Sequence, residues 1–199
     1  MNKRIEEKYF ISKNQLYEFI NWINFNNGIE IFKPRLISSV YFDNYYLDFY
    51  KLSEEGITPR KKIRIRNYPN SDNNKYFLET KINHTHKKIK KSINIDLNIF
   101  QNYINKGLFD SQNGHCKPIV KVSYLRKYFK LFNHRLTIDT NIEYFNFNSS
   151  NKQIEENIII ELKNLDNKEA LNTENLFYFK KIRFSKYCNA IRGLNISYL

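Results

Sequence analysis

Apolar and charged side chains alternate along several stretches of the chain, as expected of β-strands with one buried face. The strongest pattern covers residues 60–66, where Ile63 and Ile65 separate basic residues at every second position. Because successive side chains of a strand point to opposite faces, this strand should have a basic face and an apolar face. Comparable patterns predict strands at 4–10, 37–43, 76–82, 87–95, 119–132, 135–143 and 158–163.

Between these strands, apolar residues recur at helical spacing, with polar capping residues before them and glycines after them. The predicted helices, each given from its cap to its final glycine, are Ser12 to Gly28, Asp96 to Gly107 and Ser185 to Gly193. Helical spacing is also present at 168–179, and 45–52 is typical of a turn or short helix. The elements therefore predict an α+β fold dominated by antiparallel strands.

Two architectures fit this pattern. One is a sheet whose charged face is solvated, and the other is an eight-stranded closed β-barrel with a polar lumen and helices packed outside. Alternation by itself is compatible with both. The polar faces, however, are enriched in Arg and in Glu-x-Lys pairs, whereas several loops are rich in uncharged Asn. A basic lumen with a few carboxylates is suited to a polyanion together with a cation.

Composition narrows the class of protein. The 199 residues are 41% hydrophobic and 16% aromatic, which predicts one folded domain over residues 1–199. The formal net charge of +13 favours a polyanionic partner from among nucleic acid, phosphorylated metabolites, polyphosphate and anionic membrane surfaces. We expect nucleic acid to bind only non-specifically, with strong salt dependence. No apolar run approaches 18 residues and no signal peptide is evident, so we expect a cytoplasmic protein without a transmembrane segment. Cys116 and Cys188 should be plain buried thiols.

A chain of phosphates needs cationic donors along its length and carboxylate oxygens for a divalent metal at the reacting end. Candidate carboxylates are Glu161 with Glu6 or Glu79. Basic side chains on the charged strand faces supply the candidate donors. They are Lys8, Lys62, Arg64, Arg66, Lys81, Arg126, Arg135 and Lys163.

The order of these motifs resembles the VTC domain of polyphosphate polymerases, within the CYTH-like triphosphate tunnel metalloenzymes. The resemblance extends over nearly the whole chain. Its matching motifs are RIEEKY at 4–9, SVYFD at 39–43, RKKIRIR at 60–66, FLETK at 77–81, VSYLRKY at 122–128, RLTID at 135–139, IELK at 160–163 and FSKY at 184–187.

The resemblance implies an eight-stranded antiparallel tunnel that transfers the γ-phosphate of ATP to a growing polyphosphate, releases ADP and uses Mn²⁺ or Mg²⁺. It implies that basic residues grip the triphosphate and the product, namely Lys8, Arg64, Arg66, Lys81, Arg126 and Arg135. Glu161 would hold the metal, and Lys163 would lie beside it. Ser185 and Lys186 would bind phosphate at the tunnel mouth, where Arg60 and Lys62 are also expected. Lys90 would be a further basic position, although Ser92 stands where the family often has Arg.

Several alternatives remain open at this stage. CYTH relatives that hydrolyse triphosphate or cyclise nucleotides usually begin with a Glu-x-Glu-x-Lys strand, and here Arg4 occupies its first position. A non-catalytic module that binds polyphosphate or nucleic acid is a second alternative, and a degenerate VTC-like subunit is a third. ATP and polyphosphate or pyrophosphate are the expected ligands, and a membrane partner protein is compatible with the sequence.

The remaining polar groups are expected to be structural. His84 and His86 lie in a predicted loop without a third convergent ligand, so exposed histidines are favoured over a metal site. Asp139 and Glu143 share a strand face with Arg135, which favours ion pairing over metal binding.

Overall fold

The computed structural model describes residues 6–69, 75–85, 87–164 and 179–197, which form strands and four helices. The helices are α1 (Gln15–Phe25), α2 (Asp48–Glu55), α3 (Leu97–Lys106) and α4 (Lys186–Gly193). The strands are β1 (Glu6–Ile11), β2 (Ile29–Asn44), β3 (Arg60–Asn67), β4 (Tyr76–Asn83), β5 (Lys88–Ile95), β6 (Leu108–Asp110), β7 (Gly114–Leu131), β8 (His134–Asn146), β9 (Lys152–Glu155) and β10 (Ile158–Asn164).

Every predicted strand is present, and the α+β class is confirmed. Strand β2 begins earlier than predicted because its first residues are exposed on both faces and carry no period-two signal. Strands β6 and β9 were not predicted, since three and four residues are too few for a pattern. Arg4, His86 and residues 168–178 of the helix predicted at 168–179 lie outside the described residues.

Backbone hydrogen bonds connect the strands in the order β1-β10-β8-β7-β2-β3-β4-β5, with β6 on β7 and β9 on β8. The pairs described by register are antiparallel. In this order β1 and β5 are the two ends, so hydrogen bonds do not close the predicted barrel within the described residues. The sheet also has ten strands rather than eight because of β6 and β9.

The chain forms two compact units, and each combines separate stretches of sequence. The first unit contains Met1–Arg35, Tyr124–Ile142 and Glu155–Phe184. In it, α1 buries Phe19 and Ile23 in an apolar core with β1, β8 and β10. This arrangement leaves the opposite face of those strands for polar side chains.

The second unit contains Leu36–Ser123, Glu143–Ile154 and Ser185–Leu199. Its apolar strand face includes Ile63 and Ile65, which are 4% and 2% exposed, as the alternation predicted. Removing two such isoleucine side chains from water contributes several kcal/mol at ~25 cal/mol per Å². The basic residues between them therefore lie on the other face of β3.

Two of the three predicted N-caps are confirmed. Asp96 accepts a hydrogen bond from the Ile99 amide at 2.8 Å, and Ser185 accepts one from the Cys188 amide at 3.3 Å. Ser12 does not cap α1. It instead donates its amide and hydroxyl to the Gln15 side chain, both at 2.9 Å, and the helix begins at Gln15.

Within the described ranges, no helix is both long enough and apolar enough to span a membrane. Both cysteines are buried free thiols, as predicted.

Candidate functional site

Strand register places five of the predicted site residues on one face of the first unit's sheet, and Arg126 contacts the same face. Strand register aligns Glu6 with Lys163 and Lys8 with Glu161 across β1 and β10. It then aligns Lys163 with Arg135 and Glu161 with Thr137 across β10 and β8. Residues directly opposite in antiparallel strands share a face, so these side chains form two adjacent polar rows.

Glu161 is the buried carboxylate of this face, with 7% of its surface exposed. Its Oε1 lies 2.5 Å from Lys163 Nζ, and its Oε2 lies 3.8 Å from Arg126 Nη2. Burial alone would raise the pKa of this carboxyl, but the charges of Lys8, Arg126 and Lys163 hold it well below its ordinary value. Glu161 is therefore ionised at neutral pH.

Arg126 is fixed by a two-pronged ion pair with Asp139, which is fully buried. The Nε–Oδ1 and Nη2–Oδ2 distances are 2.5 and 2.6 Å. The sequence predicted Arg135 as the partner of Asp139 and Glu143. Ion pairing is confirmed, but the partner was wrong: Asp139 pairs with Arg126, and Glu143 with Lys152 at 2.6 Å. An ion-pair partner in a sheet is the side chain that faces the residue from a neighbouring strand, and spacing within one strand does not identify it.

Lysines connect Glu6 to this cluster. Lys163 Nζ lies 3.6 Å from Glu6 Oε2, and Lys8 Nζ lies 3.6 Å from Glu6 Oε1. Lys8 also donates to the Phe184 carbonyl at 2.9 Å. The face thus combines two carboxylates with several cations.

The second unit has a comparable cluster around Glu79, which is 6% exposed. Arg64 Nε donates a hydrogen bond to Glu79 Oε2 at 2.7 Å, and Arg64 Nη2 lies 2.6 Å from the same oxygen. Lys90 contacts Glu79 at 2.6 Å, and Arg66 lies 3.9 Å away. Burial would raise the pKa of Glu79, but Arg64, Arg66 and Lys90 lower it to about 2.

This cluster also settles the register of the basic run in β5. Lys90 is opposite Lys81, so it lies on the same sheet face as Lys81 and Glu79. Lys91 is opposite Thr80 and therefore lies on the other face. Ser92, where the family often has Arg, lies directly opposite Glu79. Lys81 itself is exposed.

A third group of predicted residues meets at the start of α4. Lys62 donates to Ser185 Oγ at 2.7 Å, and Ser185 caps the helix. Lys186, half-buried, is the first residue of α4. Free backbone N–H groups at a helix N-terminus favour an anion, and two lysines reinforce that preference. Arg60 instead donates to the Gly56 carbonyl at 3.0 Å.

The VTC domain family model matches residues 3–195, almost the entire chain. The chain belongs to the VTC domain family. Within its sequence, 106 residues are 30% identical to subunit 4 of the vacuolar transporter chaperone complex of Schizosaccharomyces pombe. The aligned region is 49% of this chain and 15% of that protein, so this VTC domain spans a small part of its curated relative.

The fold of this VTC domain is similar to that of solved structures. A candidate adenylate cyclase from Bacillus halodurans superposes over 100% of this chain and 92% of its own, with a TM-score of 0.58 and 14% identity. A candidate adenylate cyclase from Vibrio parahaemolyticus gives 0.58 at 15% identity, over 92% of this chain and 95% of its own. At such identity the likeness establishes the fold alone.

Some buried polar atoms of this VTC domain have no hydrogen-bond partner among the described residues. Within the described ranges they include Arg66 Nε and Ser39 Oγ, which are on residues opposite each other in the β2–β3 register. In the first unit they include Arg135 Nε and Thr137 Oγ1, on the same face as Glu161. A buried donor or hydroxyl that lacks a protein partner is well suited to a phosphate oxygen.

Ser39, Tyr41 and Thr137 are site-face residues of the VTC domain that sequence reasoning did not select. Tyr41 accepts a hydrogen bond from Arg64 Nη1 at 2.9 Å. The signal was present, because alternate residues of a strand share a face and Arg64 and Arg66 are opposite Tyr41 and Ser39. Only the pairing of β2 with β3 shows this.

The carboxylates of the VTC domain can be tested against a divalent metal. Among the described residues, no group of three His, Cys, Asp or Glu side chains could hold one. Glu161 and Glu6 each place a carboxylate oxygen near the ammonium group of Lys163. The two carboxylates therefore converge on one position, which the Lys163 ammonium occupies. Mg²⁺ is commonly held by one or two carboxylates together with substrate phosphates, which this pair fits. Glu79 is engaged by three cations, which favours a role in orienting arginines.

The histidines of the VTC domain differ in environment. His84 is exposed, as the sequence predicted, and His115 is exposed as well. His134 is 4% exposed, and burial lowers its pKa despite the nearby charge of Glu7.

Proposed function

We propose that this VTC domain is an ATP–polyphosphate phosphotransferase that transfers the γ-phosphate of ATP to a growing polyphosphate and releases ADP. Family membership supports a polyphosphate-related role. The observation that carries the proposal is Glu161, a buried carboxylate kept ionised by Lys8, Arg126 and Lys163. A buried carboxylate surrounded by cations is suited to a site that takes both metal and phosphate.

Phosphate binding would be divided among the clusters described above. Lys8, Arg126, Arg135 and Lys163 would contact phosphate oxygens on the first unit's polar face. Arg66 and Arg64 would do so on the second unit's face, together with Lys81 and Lys90. Lys62, Ser185 and Lys186 would hold a phosphate at the α4 N-terminus.

The chemistry requires no protein nucleophile. The terminal phosphate of the acceptor attacks the γ-phosphorus of ATP, and the bond to the β–γ bridging oxygen breaks to leave ADP. The protein contributes alignment of donor and acceptor and neutralisation of the charge on the transferring group. We therefore assign no general base.

Glu161, with Glu6, would hold Mn²⁺ or Mg²⁺. A divalent cation bound there would supply charge neutralisation and Lewis-acid polarisation of the transferring phosphate. Lys163 must then move from its position between the two carboxylates. Phosphate oxygens of the bound substrate offer its ammonium group an alternative partner. The relative is named as a subunit of a chaperone complex, so assembly with a partner protein is part of the proposal.

Incubation of the purified domain with ATP and Mn²⁺ tests the reaction, with ADP release and polyphosphate length as readouts. Glu161→Gln should lower the rate at least about 100-fold, because it removes a charged ligand at the reacting group. Glu18→Gln, on the exposed surface of α1, is the matched control and should leave the rate unchanged.

Product identity separates the alternatives. Orthophosphate as the only product would replace the proposal with triphosphate hydrolysis. Absence of turnover, with polyphosphate binding that Glu161→Gln does not alter, would replace it with a binding module.

A further inference from the structure

Strand β2 places a row of buried polar side chains beside the arginines of β3. Ser39, Tyr41 and Asp43 alternate along β2 and therefore share one face, and they are 1%, 5% and 0% exposed. Ser39 and Tyr41 are directly opposite Arg66 and Arg64. Nothing in the proposed chemistry uses Tyr41 or Asp43.

Tyr41 holds one edge of the Arg64 guanidinium. Its hydroxyl accepts a hydrogen bond from Nη1 at 2.9 Å, while Glu79 engages Nε and Nη2 at 2.7 and 2.6 Å. The five N–H groups of a guanidinium lie in one plane. Contacts on two of its edges therefore fix the direction in which that plane faces.

Tyr41 is in turn held by a second tyrosine. Its ring stacks on that of Tyr187, with centroids 5.1 Å apart and an interplanar angle of 18°. The Tyr187 hydroxyl donates to Asp43 Oδ2. The stack and this hydrogen bond restrict the position of the Tyr41 ring.

Asp43 is anchored to the backbone at the start of α2. Its Oδ1 accepts from the amides of Asn44 and Phe49 at 2.9 and 3.0 Å, and its Oδ2 accepts from the Tyr50 amide at 3.0 Å. These N–H groups belong to the strand end and the first turn of the helix. The carboxylate is thereby a fixed point, since every bond that holds it comes from ordered backbone or from Tyr187.

We propose that Tyr41 is a positioning residue for Arg64, and that the stack on Tyr187 and the Tyr187–Asp43 hydrogen bond hold Tyr41 in place. The inference rests on the proposed function in that Arg64 is taken to bind phosphate. Both contacts from Glu79 end on one carboxylate oxygen, Oε2, whereas Tyr41 holds the guanidinium through a different nitrogen, Nη1. Tyr41 thereby adds a second fixed point and favours one orientation of Arg64 toward a phosphate.

Electrostatics agree with this arrangement. Burial alone would raise the pKa of Tyr41, yet the charges of Arg64, Arg66 and Lys62 lower it. These positive charges favour the arrangement in which the phenolic oxygen faces Arg64 and accepts its hydrogen bond.

Tyr41→Phe tests the proposal, because it removes the hydroxyl and keeps the ring that stacks on Tyr187. The first readout needs no ligand: the rate of rotation of the Arg64 guanidinium, measured from its ¹⁵N side-chain NMR signals and assigned by their loss in Arg64→Lys. We expect rotation to become at least about fivefold faster. Tyr50→Phe, which removes a hydroxyl from a ring packed edge-on against Tyr187, is the matched control and should change nothing.

The second readout is the affinity for inorganic tripolyphosphate by calorimetry. Tyr41→Phe should weaken binding about tenfold, within the range for a hydrogen bond to a charged group. In an Arg64→Ala background the same substitution should have no further effect, because Tyr41 acts only through Arg64. Tyr187→Phe, which breaks the bond to Asp43 alone, should give a smaller loss.

Unchanged guanidinium rotation in folded Tyr41→Phe would overturn the inference, and so would an affinity loss that persists in the Arg64→Ala background. Suppose that Tyr41→Phe weakens tripolyphosphate binding only when Arg64 is present, and that the protein does not turn over ATP. This result would support the inference and refute the proposed function. The two ideas can therefore fail separately.

Discussion

Glu79 and Glu161 are buried carboxylates on which basic side chains converge. Arg64 and Lys90 approach Glu79 to 2.6 Å, and Lys163 approaches Glu161 to 2.5 Å. A buried carboxylate without cations would bind a proton, whereas these two are held ionised. Each therefore keeps several cations on one sheet face, where they would otherwise repel one another.

The stability of the protein should depend on the ionisation of Glu79. Its pKa is lowered in the folded state from 4.5 to about 2, so ionised Glu79 stabilises the fold above pH 4.5 and loses this contribution as the pH falls toward 2. With a discount for screening at exposed Lys90, the contribution is about 2 kcal/mol. Urea denaturation of wild type and Glu79→Gln should show this difference at pH 6 and a smaller one at pH 3. A difference that grows on acidification would contradict the assignment.

Arg64 and Arg66 should respond differently to substitution. Arg66 lies 3.9 Å from Glu79 and has a buried Nε without a partner in the described structure, so Arg66→Ala should abolish most activity and cost at most about 1 kcal/mol of stability. Arg64→Ala removes two short contacts from buried Glu79 and should cost about 2–3 kcal/mol. Steady-state rates and urea denaturation of both variants check this. Equal destabilisation by the two would make Arg66 a structural residue.

At the scale of elements, strand register and helix ends bring the candidate residues together. Alternation gives each strand its polar face, but antiparallel pairing decides which polar faces meet: Arg64 with Glu79 and Tyr41, and Lys8 with Glu161. A shift of one residue in any pairing would turn an entire row to the apolar side. Helix α4 adds an N-terminus beside Lys62.

The two side-chain-capped helices provide a paired test of the α4 N-terminus. Ser185→Ala and Asp96→Ala each remove one side-chain cap, so both should lower stability by about 1 kcal/mol. Only Ser185→Ala should weaken tripolyphosphate binding, by about fivefold or more, because it removes the hydroxyl that Lys62 contacts at the proposed phosphate position. Loss of the Asp96 charge would, if anything, favour an anion. Calorimetry measures the tripolyphosphate affinity of both variants. An equal change in affinity would exclude a phosphate site at the N-terminus of α4.

On the scale of the whole molecule, the net charge of +13 draws polyanions of every kind. Binding by net charge depends on counterion release and falls steeply with salt. Binding at a defined site depends in addition on particular side chains. The two contributions can be separated by substitutions that remove the same charge from different places.

Arg66→Ala and Lys130→Ala each remove one positive charge, the first from the candidate site and the second from the exposed surface of β7. Duplex DNA binding should fall at least about 100-fold between 50 and 200 mM salt and respond equally to both substitutions. Tripolyphosphate affinity should fall about tenfold or more in Arg66→Ala alone. Fluorescence anisotropy and calorimetry provide the measurements. An equal loss of tripolyphosphate affinity in both variants would show that Arg66 contributes only through its net charge.

Local patterning accounts for the features that the sequence predicted correctly. Period-two alternation, as in residues 60–66, is a property of neighbouring residues, so the strand and its basic face followed from the sequence. The caps Asp96 and Ser185 were predictable for the same reason, because they act within three residues. The motif order also pointed to the VTC domain family, to which the chain belongs.

Long-range pairing accounts for what only the tertiary structure decided. Asp139 pairs with Arg126, and Arg64 bonds to Glu79 and Tyr41, each supplied by another strand. The stack of Tyr41 on Tyr187 and the Tyr187–Asp43 hydrogen bond join residues more than 140 positions apart. Which basic residue of β5 faces Glu79 likewise depended on register. The sequence by itself determined which side chains share a strand face, and packing determined which faces meet, because cross-strand contacts form in space and leave no periodic trace along the chain.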